Sequence, residues 1–79
     1  MSNKYNVIMR DDRLRHIANN LRAERNRKNY SQEGLAERAN LSSQTIGLIE
    51  RAEQAPTILT LLDIANALEI DINELLKGI

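Results

Sequence analysis

Residues 31–52 read SQEGLAERANLSSQTIGLIERA, and this stretch decides the fold because it parses into two short helices joined by a tight turn. Ser31 is a favourable N-cap ahead of Gln32, and Leu35, Ala36 and Ala39 then fall on one helical face. Asn40 follows at once. Asn is the commonest substitute for Gly where a chain leaves a helix through the left-handed region, so the first helix ends there. Ser42 is a second N-cap, after which Ile46, Ile49 and Glu50 share a face by i, i+3, i+4 spacing, while Ser43, Gln44, Gly47 and Leu48 point elsewhere. The second helix therefore has an inner face and a polar, sterically light outer one.

Toward the N-terminus, Asp11 or Asp12 caps a longer helix whose apolar stripe is Leu14, Ile17, Ala18 and Leu21, with Asn29 at its end. The next position on that stripe is Arg25. A guanidinium pointing into a core is costly unless paired. Glu50 points inward from the facing helix, so Arg25 and Glu50 are expected to meet as a structural ion pair.

Toward the C-terminus, residues 53–55 form a loop, and Pro56 followed by a Thr57 cap starts a fourth helix. Its residues Ile58, Leu61, Leu62, Ile64, Ala65 and Leu68 are apolar almost all round, more than one buried face requires. Asp71 and Glu74 read as a capping box for a fifth helix carrying Ile72, Leu75, Leu76 and Ile79. Part of this surplus serves the core. The remainder suggests a symmetric dimer through Ile72, Leu75, Leu76 and Ile79, against the rival reading that this third only caps the bundle.

Seventy-nine residues make one small domain, near the size at which a single core is just sufficient. The chain has no cysteine, so apolar packing must hold it without disulfides or thiolate metal sites, and a cytoplasmic setting is expected. The sequence contains no apolar run long enough for a signal peptide or a membrane span. Net charge is zero, yet residues 1–51 hold ten basic against six acidic side chains, plus four, and residues 52–79 hold one against five, minus four. Such asymmetry fits a molecule with one side facing an anion and one facing away.

The pattern Arg25, Ser31-Gln32-Glu33, Leu35-Ala36, Ala39, Ser42, Ile46, Ile49-Glu50-Arg51, Pro56, Leu61, Ala65, Leu68 and Leu75-Leu76 resembles the helix-turn-helix of the phage lambda repressor and Cro family. The resemblance runs over roughly residues 14 to 76, far more than an isolated turn signal. It implies an all-α, five-helix DNA-binding domain over residues 12–79, with the helix-turn-helix at helices two and three. The helix opening at Ser42 would be the recognition helix that enters the major groove. The family often carries an arginine and a glutamate at the positions of Arg25 and Glu50. The short length resembles the controller proteins of restriction-modification systems.

On that helix, Gln44 is suited to pair bidentately with adenine and Leu48 to touch a thymine methyl, with Ser43 beside them and Gly47 removing bulk from the same face. Arg51 and Ser42 are expected at phosphates, as is Gln32 with the first-turn amides of its helix. Glu24 departs from the family, which commonly has an apolar residue there, and suggests a partly wet edge on helix one. Ala52 replaces a common glycine and is strained if its φ is positive. Residues 1–11 are open between a partly ordered terminus, an arm reaching DNA through Lys4 and Arg10, and a strand pairing across a dimer.

An enzyme is not expected, because the sequence shows no nucleophile–base pair or Gly-rich phosphate loop, and Ser31 and Ser42 are accounted for as caps. His16 is the sole histidine and has no Cys or carboxylate cluster around it, which argues against a metal site; no cofactor or small-molecule ligand is implied. The resulting expectation is a transcriptional regulator that binds double-stranded DNA, on a palindromic operator, as a homodimer. The alternative is a protein-interaction module, such as an antitoxin or assembly component, built on the same small bundle.

Overall fold

The computed structural model describes residues 11–79. Helix α1 spans Asp12–Arg27, α2 Gln32–Ala39, α3 Ser43–Glu50 and α4 Ile58–Leu68, and a 3-10 turn over Ile72–Glu74 follows. The described residues contain no strand. Each helix opens on a side chain that accepts an otherwise orphaned N–H. Asp11 takes Arg13 N–H at 2.8 Å, Ser31 takes Gly34 at 2.8 Å, Ser42 takes Thr45 at 3.0 Å and Thr57 takes Thr60 at 3.1 Å.

The four helices also close alike. Asn29, Asn40, Ala52 and Glu69 have φ of 61°, 61°, 58° and 59°. The N–H that follows each reaches back across the last turn: Tyr30 to the Arg25 carbonyl at 3.1 Å, Leu41 to Ala36 at 2.8 Å, Glu53 to Leu48 at 2.9 Å and Ile70 to Ala65 at 3.0 Å. These are Schellman closures made without glycine, which Asn tolerates and Ala and Glu adopt only under strain. Tyr30, Leu41 and Ile70 pack against the core after their turns. Glu53 stands exposed after its own.

The core is built from Leu21 of α1, Leu35 of α2, Ile46 and Ile49 of α3, Ile64 and Leu68 of α4, and Leu75 beyond them, all fully buried. Ala36, Ala39 and Ala65 are buried among them and allow close approach of the backbones. Helix α2 lies against both α3 and α4, and α1 packs on α3.

Three expectations are corrected. The fifth helix is only a 3-10 turn, in which Leu75 N–H bonds to the Ile72 carbonyl at 2.9 Å and Leu76 N–H to Asn73 at 3.1 Å. Carbonyls beyond the turn are satisfied from another element, Asn20 on α1 donating its Nδ2 to those of Leu75 at 3.0 Å and Lys77 at 2.9 Å, and Gly78 turns away with φ of 88°. Glu74 does not complete a capping box; its carboxylate lies 2.6 Å from Lys77 Nζ.

The second correction concerns the surface for a partner. Leu75 is fully buried within the chain and Ile72 and Leu76 are packed against its core, so of the four residues assigned to a dimer only Ile79 is freely exposed. Among the described residues, the exposed large apolar side chains are Ile58, Leu59, Leu62 and Ile79. Third, Glu24 is buried rather than wet. It lies three residues beyond Leu21 on the same stripe, and its carboxylate is 3.5 Å from the Arg27 guanidinium. The segment 1–11 assigned as an arm falls outside the described residues except for Asp11, the α1 cap. No described helix is long and apolar enough to cross a membrane.

Candidate nucleic-acid interface

The turn between α2 and α3 is set by Asn40 in the left-handed region and by Ser42, whose hydroxyl lies 2.8 Å from Thr45 Oγ1 as well as accepting the Thr45 amide. What holds α3 at a fixed angle is buried beneath it. Glu50 ends α3 with its side chain 2% exposed, and three donors converge on its carboxylate. Arg25 Nε reaches Oε2 at 2.6 Å, Arg25 Nη2 reaches Oε1 at 3.0 Å, and Gln32 Nε2 reaches Oε1 at 3.0 Å. Arg25 Nη1 also donates to the Tyr30 carbonyl at 2.8 Å. The hydrogen bonds to Glu50 push the Arg25 guanidinium pKa above its usual value, against the opposing effect of burial. One buried carboxylate thus ties α1, the start of α2 and the end of α3 together, with its acceptor capacity largely satisfied.

Arg22 completes this frame and was not singled out in the sequence. Its Nη1 donates to the Glu50 carbonyl at 2.7 Å, capping the electronegative end of α3 with a cation, while Nη2 is held by Asn19 Oδ1. The available signal was its spacing, one turn before Arg25 on the same helix. Tyr30 is the second such residue, with the Arg38 guanidinium 4.3 Å from its ring centre.

The outer face of α3 is uneven. Ser43 and Gln44 are exposed and Leu48 is half-buried. Gly47 is buried, which corrects its assignment to the open face. A methyl group there would stand 3.0 Å from Arg51 Nη1 and 3.6 Å from Gln32 Oε1. The absent side chain therefore makes room for the Arg51 guanidinium, which folds back over the preceding turn as helical side chains do. Arg51 is itself exposed, with Nε 3.3 Å from Glu53 Oε2. Gln32, expected at a phosphate, has its amide N–H turned inward to Glu50. The Ser42 hydroxyl is engaged as a cap. Among the described residues no group of His, Cys, Asp and Glu side chains is placed to hold a metal ion.

A family model described as helix-turn-helix, HTH_3, matches residues 21–75. The chain is similar to the control protein C.SmaI of Serratia marcescens, 43% identical over 60 residues that make up 76% of this chain and 71% of that protein. Among solved structures it is similar to the restriction-modification controller protein C.AhdI from Aeromonas hydrophila. That match has a TM-score of 0.77 and 34% identity, covering 78% of this chain and 94% of that one. It also resembles an HTH_3 family transcriptional regulator from Vibrio cholerae, with a TM-score of 0.78 and 35% identity, over 80% of this chain and 35% of that longer one.

Proposed function

This chain belongs to the helix-turn-helix family HTH_3 and is a DNA-binding regulator rather than an enzyme; from that premise we propose that it binds a palindromic operator as a homodimer, in the manner of a restriction-modification controller. Residues 12–79 form the DNA-binding domain in this reading, with 1–11 assigned to an arm, and the protein works in the cytoplasm. Each protomer lays α3 in the major groove. Gln44 pairs bidentately with adenine, Leu48 touches a thymine methyl and Ser43 supplies a further polar contact. Arg51, Ser42 and the start of α2 at Gln32 meet the sugar-phosphate backbone, which positions α3 without reading sequence. Gly47 contributes by leaving space for Arg51.

The observation that carries this reading is the contrast between the two faces of α3. Its inner face is clamped by a fully buried carboxylate with three side-chain donors, while its first turn offers exposed Ser43 and Gln44. A preorganised helix with a polar, uncluttered leading edge is what groove recognition requires. Dimerisation is supported by the exposed Ile58, Leu59, Leu62 and Ile79, with Ile72 and Leu76 partly buried against the core. An acidic C-terminal third suits a surface turned away from phosphates.

The test begins by selecting a preferred duplex from random DNA. Gln44→Ala and Arg51→Ala are then titrated against preferred and scrambled duplexes at several salt concentrations. Gln44→Ala should cost about 1–3 kcal/mol on the preferred duplex and little on the scrambled one. Arg51→Ala should weaken both alike and make the slope of log affinity against log salt shallower by about one. Equal weakening of both duplexes by Gln44→Ala, or an altered base preference in Arg51→Ala, would show the roles to be misassigned.

A further inference from the structure

Glu53 breaks a rule that the other three helix ends obey. In a Schellman closure the residue after the left-handed one commonly makes an apolar contact back onto its own helix, and Tyr30, Leu41 and Ile70 pack on the core in that position. The turn after α3 places a carboxylate there instead. Its backbone N–H still closes the turn on the Leu48 carbonyl at 2.9 Å, so the turn itself requires nothing of the side chain. The side chain swings to Arg51, Oε2 lying 3.3 Å from Nε, with both partners about half exposed at 46% and 55%.

The same guanidinium is positioned from its other side. It lies over the gap left by Gly47, with Nη1 3.0 Å from where a methyl carbon would stand and Gln32 Oε1 3.6 Å from that point. Arg51 thus reaches back toward the start of α2. Glu53 engages its Nε, one edge of a planar fork that matches carboxylate and phosphate alike.

We propose that Glu53 occupies, in the free protein, the place on Arg51 that a DNA backbone phosphate takes in the complex. This rests on Arg51 being a backbone contact. Binding exchanges one anion for another on a guanidinium already held over Gly47, so the arginine is kept in position at the expense of part of its affinity. A phosphate that approaches must displace Glu53, whose own charge then faces the DNA unpaired. Glu53 is a positioning residue that lowers sequence-independent binding and leaves base preference alone.

The experiment compares wild type, Glu53→Gln, Arg51→Ala and the double variant on preferred and scrambled duplexes at fixed salt. Glu53→Gln preserves the turn, because the closing bond uses the backbone. It should tighten both duplexes by about two- to fivefold, the range of an exposed ion pair. In the Arg51→Ala background the same change should do less than about 1.5-fold. The 15Nε resonance of Arg51 in free Glu53→Gln should move away from its wild-type position, reporting the lost carboxylate. An equal gain in both backgrounds would overturn the proposal, since Glu53 would then act only as a negative charge near DNA. So would an absence of gain in Glu53→Gln where Arg51→Ala does weaken binding. If Arg51→Ala binds as tightly as wild type, it is the reading of Arg51 as a backbone contact that fails, and the exchange falls with it.

Discussion

Removing Arg25 is expected to cost far more than its single charge suggests. Arg25 supplies two of the three side-chain bonds to Glu50, at 2.6 and 3.0 Å, and Glu50 is 2% exposed. Arg25→Ala leaves that carboxylate in the core with the Gln32 amide alone, a situation that costs about 3–5 kcal/mol. Domains of this length have a total stability of about 4–12 kcal/mol, so a quarter or more is at stake. Glu50→Ala should cost less, about 2–3 kcal/mol. The stranded Arg25 keeps its bond to the Tyr30 carbonyl, and its side chain is 14% exposed, enough for water to reach it. Urea unfolding followed by circular dichroism gives both losses, and the double variant should be no less stable than Arg25→Ala alone. Small, additive losses would refute the argument, because they would mean that neither group depends on the other for its burial.

The left-handed helix ends offer a second test. Glu69 is exposed and paired only loosely, 3.6 Å from Lys28, so Glu69→Gly should stabilise the fold by about 0.5–1 kcal/mol by relieving φ strain. Ala52→Gly relieves the same strain but gives up a methyl group that is buried, worth about 0.8 kcal/mol, so it should be nearly neutral; thermal melts of both variants decide. At the start of α1, Arg13 hydrogen bonds, side chain first and backbone second, lower the Asp11 pKa from 3.8 to about 2. A folded pKa below the unfolded one means that this cap is at full strength above the unfolded value and is lost as pH falls through about 2, and an NMR titration midpoint near 3.8 for the Asp11 carboxyl would contradict the contact. Finally, Leu62→Glu, on the exposed apolar face of α4, should convert a dimer to monomer in sedimentation and weaken operator binding together, whereas a wild type that is monomeric at micromolar concentration would remove the dimer altogether.

What could be read along the chain was whatever a few neighbouring residues control. Caps at Ser31, Ser42 and Thr57 and the left-handed Asn40 are local choices, so α2, α3 and the start of α4 were legible, and with them the helix-turn-helix family. Stripe periodicity also put Arg25 and Glu50 on facing inner surfaces, because an ionised group among Leu and Ile has few ways to be satisfied. The same logic missed Glu24, since a stripe at i+3 and i+4 takes in both residue 24 and residue 25, and nothing local says that both are covered.

Tertiary structure alone decided the rest. The last segment is apolar and capped like a helix, yet it forms a 3-10 turn, and the carbonyls of Leu75 and Lys77 are held by Asn20, more than fifty residues away. Leu75 is consumed by the core, and large apolar side chains stand exposed instead at Ile58, Leu59 and Leu62 on α4. Gly47 reads as an open position on a helical wheel, but its surroundings come from Gln32 on another helix and from Arg51 folding back over it. Local propensities and apolar periodicity are properties of consecutive residues. Which donors reach a carbonyl, and what fills the space beside a glycine, depend on residues that only the folded chain brings together.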